Sequence, residues 1–154
     1  MKAEYINPFL VGTQRSLSGI CGYEGRLGKV SFKLPPYSPR DVAVVIGFNG
    51  DLKGEVVFTM DEGCGLYLAS KFMAGVNPTR MDDMAQSCIM ELANIISGNA
   101  ALALFGLGLN VNITPPTYVI GGTGLEFVQS GSKLLCMPIF IRGGQVFEVD
   151  LHFA

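Results

Sequence analysis

Ser87, Glu91 and Asn94 place a hydroxyl, a carboxylate and a carboxamide four and three residues apart. On an α-helix, side chains at these spacings share one face. A carboxamide suits solvent chemistry: its carbonyl accepts a hydrogen bond from water while its amide donates to an anionic oxygen, so one neutral group aligns both. A carboxylate beside the same anion would repel it, and its natural counterpart is a cation. Gly98 falls on the same line, where glycine costs about 1 kcal/mol against alanine in a helix. Close approach by another molecule would account for it.

The element that carries these residues must be an amphipathic helix. At a hundred degrees per residue, Ala85, Ile89, Leu92, Ile96, Ala100 and Ala103 gather on the opposite side as the expected core stripe. Thr79 and Asp82 stand at its start, and Gly106 and Gly108 follow Phe105 as stop signals. The polar trio is therefore predicted to point away from the core.

The pattern Ser87-x3-Glu91-x2-Asn94 resembles the motif of the CheC, CheX and FliY phosphatases of bacterial chemotaxis. The likeness extends to Tyr5–Leu10, to Ile46–Val57 and to Glu91–Ala100, so it covers most of the chain, and a single motif copy makes the chain most similar to the CheX branch. The resemblance implies a phosphatase acting on the phosphoaspartate of a CheY-like response regulator. In that reading Asn94 orients the attacking water, Glu91 engages a lysine of the receiver, Ser87 supports Glu91 or touches the partner, and Gly98 leaves room for its approach. The magnesium ion would be the receiver's own, with no cofactor held by this chain. Family members associate as homodimers through their sheets, and the same is expected here. The alternative is a response-regulator binding or scaffold module using the same helix face without accelerating hydrolysis.

Around the motif helix the elements alternate in a way that predicts an α+β domain with a largely antiparallel sheet, which the resemblance makes a CheC-like fold. Asn7-Pro8 should open a first helix ending near Ile20 before Gly22, with Gly12 and Gly19 as interruptions. Lys29–Leu34 reads as a strand with Val30, Phe32 and Leu34 on one side. Asp41–Phe48 and Leu52–Met60 flank Asn49-Gly50-Asp51 as a hairpin, and Asp61 should cap a short helix through Leu66, Ala69, Phe72 and Met73 that ends at Gly75. Asn110–Thr114 and Tyr118–Ile120 read as short strands, followed by a glycine loop at Gly121-Gly122-Thr123-Gly124. A last hairpin joins Lys133–Arg142 to Gln145–Phe153, with Pro138 marking a sheet edge or bulge. In that final strand Glu148, Asp150 and His152 form the expected outward polar face, opposite Phe147, Val149, Leu151 and Phe153. A metal could be imagined there, but no metal site is expected.

The 154 residues, 49% hydrophobic and 16% charged, suffice for one core, and residues 1–154 read as a single domain. A net charge of −2 gives no attraction for nucleic acid. No uninterrupted apolar run reaches the roughly eighteen residues of a membrane span, so no membrane partner is expected. Cys21, Cys64, Cys88 and Cys136 are scattered in apolar contexts without a Cys-x-x-Cys pair, as in reduced core thiols of a cytoplasmic protein.

Overall fold

The computed structural model describes residues 2–34, 37–120 and 133–154; the glycine loop predicted at 121–124 lies outside them. Helix α1 spans Ala3–Cys21, and two short strands follow, β1 at Arg26–Leu27 and β2 at Ser31–Lys33. Strands β3 (Val42–Gly50) and β4 (Gly54–Met60) form the predicted hairpin. Helices α2 (Glu62–Phe72) and α3 (Asp83–Gly106) come next, then β5 (Val111–Ile113) and β6 (Thr117–Ile120). Strands β7 (Leu134–Phe140) and β8 (Val146–Phe153) close the chain. All pairings are antiparallel in one sheet ordered β1-β7-β8-β4-β3-β5, with β2 also on β7 and β6 also on β3.

Period-two alternation sends Val44, Ile46, Phe58, Met137, Val149 and Leu151 to one face, where Phe9 and Leu17 of α1, Leu68 of α2 and Ile89, Leu92 and Ile96 of α3 complete the main core. The motif helix is thus held against the sheet by its apolar face. It is also the one helix among the described residues that is long and apolar enough to cross a membrane by length and composition. The expectation drawn from uninterrupted runs missed this, because the six core-facing residues are spaced through the helix rather than consecutive.

Several local expectations change. The first helix begins at Ala3, before Asn7, and Pro8 lies inside it; Gly12 and Gly19 do not interrupt it. Gly22 ends it in the left-handed conformation, φ 68°, with its N–H donating to the Ser18 carbonyl. Asp61 heads α2 without a side-chain cap; the Glu62 N–H donates instead to Asp41 Oδ2 at 3.1 Å. In α3 the cap is Asp82, whose Oδ1 accepts from the Ala85 N–H at 2.9 Å. Ala103 is exposed, and Leu104 takes its place in the core. Eighteen steps of 100° are five whole turns, so Ala103 repeats the azimuth of Ala85; at the far end the buried face lies instead toward the line of Ala93, Ser97 and Leu104.

The larger departures concern the sheet. Strand β7 is not an edge: β1 and β2 both pair with it, on either side of Pro138. Proline lacks the N–H, but its carbonyl still accepts from the Gly28 N–H at 2.8 Å, so the break falls between the two short strands. The strand read at Lys29–Leu34 is shorter, Ser31–Lys33, and the apolar side chains Val30, Phe32 and Leu34 are exposed. Most consequentially, Glu148, Asp150 and His152 are buried. Strand β8 lies between β4 and β7, and the second face of the sheet is covered, so the alternation was right and the outward assignment was wrong.

Candidate active site

Ser87, Glu91 and Asn94 stand exposed along α3, and Gly98 is half-buried on the same side one turn beyond Asn94. Ile89, Leu92 and Ile96, which alternate with them, are fully buried. Ser87 Oγ donates to the Asp83 carbonyl at 2.9 Å, the ordinary back-bond of a helical serine, leaving its lone pairs outward. Glu91 and Asn94 have no ion-pair or side-chain hydrogen-bond partner among the described residues. A Cβ added at Gly98 would meet nothing within 4 Å, so no contact among the described residues requires glycine there. The structure brings the three polar side chains together as one open stripe. Among the described residues, only the Ser87 hydroxyl hydrogen is already engaged, by the Asp83 carbonyl.

Apolar side chains flank that stripe. Met84, Ile95, Leu102 and Phe105 of α3 are all exposed, although the helix has a core face for such residues. Plotting every α3 residue at a hundred degrees would have found them; attention to the polar trio alone does not. Half-buried Cys88 lies beside Glu91, and burial, then Asp82, push its thiol above the ordinary value, so it is held as a thiol rather than as a nucleophilic thiolate. The stripe therefore contains a carboxamide, a carboxylate and a hydroxyl without an activated nucleophile, a set fitted to orienting water and a partner's charges.

A second polar cluster occupies the other face of the sheet. Cys136 Sγ and the carboxylates of Glu148 and Asp150 lie within 4.8 Å of one another, a grouping that could suggest a metal and that takes Cys136 in place of the His152 of the sequence reading. The groups around them argue otherwise. The Lys33 ammonium pairs with Glu148 and lies 3.8 Å from Asp150, Arg40 Nε donates to Glu148 at 3.0 Å, and the Tyr37 hydroxyl donates to Asp150. A cation placed there would have to displace the ammonium. Burial first, then the neighbouring Glu148 charge, push Asp150 up to about 7. For Glu148 burial acts upward, but hydrogen bonds with Asp150 and Lys33 outweigh it and hold the carboxyl below its usual value. The cluster is paired by Lys33 at the end of β2 and by Tyr37 and Arg40 of the β2–β3 connection, while Asp150 Oδ1 has no hydrogen-bond partner among the described residues. His152 extends the row, its Nε2 3.8 Å from a Glu55 oxygen.

The family model for the chemotaxis phosphatase CheX matches residues 42–140, a span that contains the whole motif helix. The chain belongs to the CheX family. The CheY-P phosphatase CheX of Thermotoga maritima is 30% identical over 151 residues, 98% of this chain and 96% of that protein. Among solved structures, a CheC-like superfamily protein from Shewanella sp. PV-4 superposes with a TM-score of 0.87 at 26% identity, covering 100% of this chain and 99% of that one. CheX of Borrelia burgdorferi, solved in a complex with CheY, BeF3 and Mg2+, superposes with a TM-score of 0.79 at 29% identity, over 97% of each chain.

Proposed function

We propose that this chain is a phosphatase that hydrolyses the phosphoaspartate of a CheY-like response regulator. The observation that carries the reading is the outward stripe of α3: Glu91 and Asn94 are exposed without side-chain partners among the described residues, on a helix whose other face is fixed in the core. Membership of the CheX family supplies the substrate class. In the proposed mechanism the Asn94 carbonyl accepts a hydrogen bond from the attacking water while its amide donates to a phosphoryl oxygen, aligning the two for in-line displacement. Glu91 pairs with a lysine of the receiver, fixing the docked geometry and keeping its charge away from the phosphorus. Ser87, whose hydroxyl hydrogen is engaged with Asp83, serves as an acceptor at the edge of the contact. The magnesium ion that neutralises the transferred group is the receiver's.

The chain is further proposed to act as a cytoplasmic homodimer, without a nucleic-acid or membrane partner. Four free cysteines support a reducing compartment. The exposed apolar residues Leu27, Val30, Phe32 and Leu34 around the short strands on β7 support association of two copies at that end of the sheet. The test of function is the lifetime of phosphoaspartate in a CheY receiver with and without this protein: a shortened lifetime is expected, and tight binding with an unchanged lifetime would favour a scaffold using the same face.

A further inference from the structure

We infer that the C-terminal half of the outward α3 face, centred on Leu102 and Phe105, is the affinity anchor for the receiver, separate from the polar half that acts on the phosphoryl group. The inference rests on the functional reading above and assigns recognition to residues outside the motif. Eleven residues separate Glu91 from Leu102, and eleven separate Asn94 from Phe105. Eleven helical steps return to within about 20° of the starting azimuth after a rise of about 16 Å, so each apolar side chain stands three turns along from a motif residue on the same line. Leu102 is 71% exposed and Phe105 67% exposed, and Ile95 and Leu107 extend the patch. Isolated exposed apolar residues are ordinary, but Leu102 and Phe105 at the end of α3, with Ile95 two turns before Leu102 and Leu107 just past the helix, continue the motif face as an apolar contact surface.

The charge distribution points to the same occupant. From Leu92 through Asn110 no side chain carries a charge, and the charged group beside Leu102 is Arg15 of α1, which lines the same groove. A partner matched to this face presents a cation opposite Glu91 and, about 16 Å away, an apolar surface that brings no cation against Arg15. Gly98 stands seven residues from both Glu91 and Phe105, and a Cβ there would enter open space. It is a notch in the ridge between the two halves, through which the partner's surface can pass at close range.

The test uses Borrelia burgdorferi CheY held active with BeF3 and Mg2+ for affinity, and the phosphorylated receiver for single-turnover hydrolysis at saturating phosphatase. Leu102→Asp and Phe105→Ser should each weaken binding about tenfold or more, while the saturated rate stays within about twofold of wild type. Both sites are exposed; Leu102→Ala, with its thermal midpoint measured, guards against a folding defect in the charged variant. Unchanged affinity in all three variants, with wild type still shortening the phosphoaspartate lifetime, would overturn the inference and leave the functional reading standing. A dimer dissociated by Leu102→Asp, or wild-type flotation with anionic vesicles that the same change abolishes, would assign the patch to a second copy or to a membrane and likewise overturn it. Wild type that neither binds nor hydrolyses would remove the functional reading first.

Discussion

A Cβ on Gly12 would lie 3.3 Å from the Ile96 carbonyl oxygen, so α1 approaches the motif helix at a distance set by the absence of a side chain. Ile96 is itself fully buried, two residues beyond Asn94, and any displacement of its backbone moves the outward stripe with it. Gly12→Val places two further methyls at a contact already tight for one. The expected outcome is a loss of about 1–3 kcal/mol in stability from overpacking. Urea denaturation of the variant checks this, and a stability equal to wild type would show that the two helices separate freely.

The motif residues divide by what they are expected to change. Asn94→Ala should keep its affinity for the BeF3-activated receiver while accelerated hydrolysis falls by about 10²-fold or more, as for loss of one preorganised transition-state contact. Glu91→Ala should chiefly weaken binding. Titrations combined with single-turnover hydrolysis separate these effects, and undiminished hydrolysis in Asn94→Ala would eliminate the proposed water-orienting role.

Gly98→Ala reads the helix and the partner at once. The added methyl points into open space, so the free protein should gain stability, by about 1 kcal/mol at most, from helix propensity. Receiver binding should fall if the notch admits the partner closely. A more stable variant that binds as well as wild type would show that the partner never comes that near.

The buried pair on β8 predicts a pH dependence of stability. Asp150 titrates near 3.8 when unfolded and is pushed up to about 7 when folded, so its contribution is fully present below about pH 4 and is lost as pH rises through about 7. Glu148 runs the other way: with its folded value below 4.5, its contribution is present above that value and is lost on strong acidification. Asp150→Asn fixes the neutral form and keeps an acceptor for Tyr37. The variant should therefore lose less stability than wild type between pH 5 and about 8, measured by thermal midpoints across that range. Parallel curves would rule out Asp150 as the titrating group.

Asp82→Ala removes the side-chain acceptor of the Ala85 N–H at the head of the motif helix and should cost about 1 kcal/mol. Asp61→Ala, at the uncapped head of α2, loses no such bond, although it removes the weak surface contact with Arg40 at 3.4 Å. Thermal midpoints that rank the two variants in the opposite order would contradict the capping assignment.

The motif face was legible before any coordinates because helical geometry is local: residues three and four apart share a side whatever surrounds them, so the spacing of Ser87, Glu91 and Asn94 and the burial of Ile89, Leu92 and Ile96 follow from one another. The hairpins and the final alternation of β8 follow likewise from turn residues and a period of two. What alternation cannot express is whether each face of a strand meets water. Glu148 and Asp150 are buried because Lys33, Tyr37 and Arg40, from 108 to 115 positions away in the chain, carry charges and a hydroxyl to them across the sheet. Phe32 on β2, and Leu34 just beyond it, are exposed because that short strand borders β7 at the margin of the sheet. Both outcomes depend on which distant segments come to lie against a face, and that is a property of the assembled sheet rather than of any window of sequence.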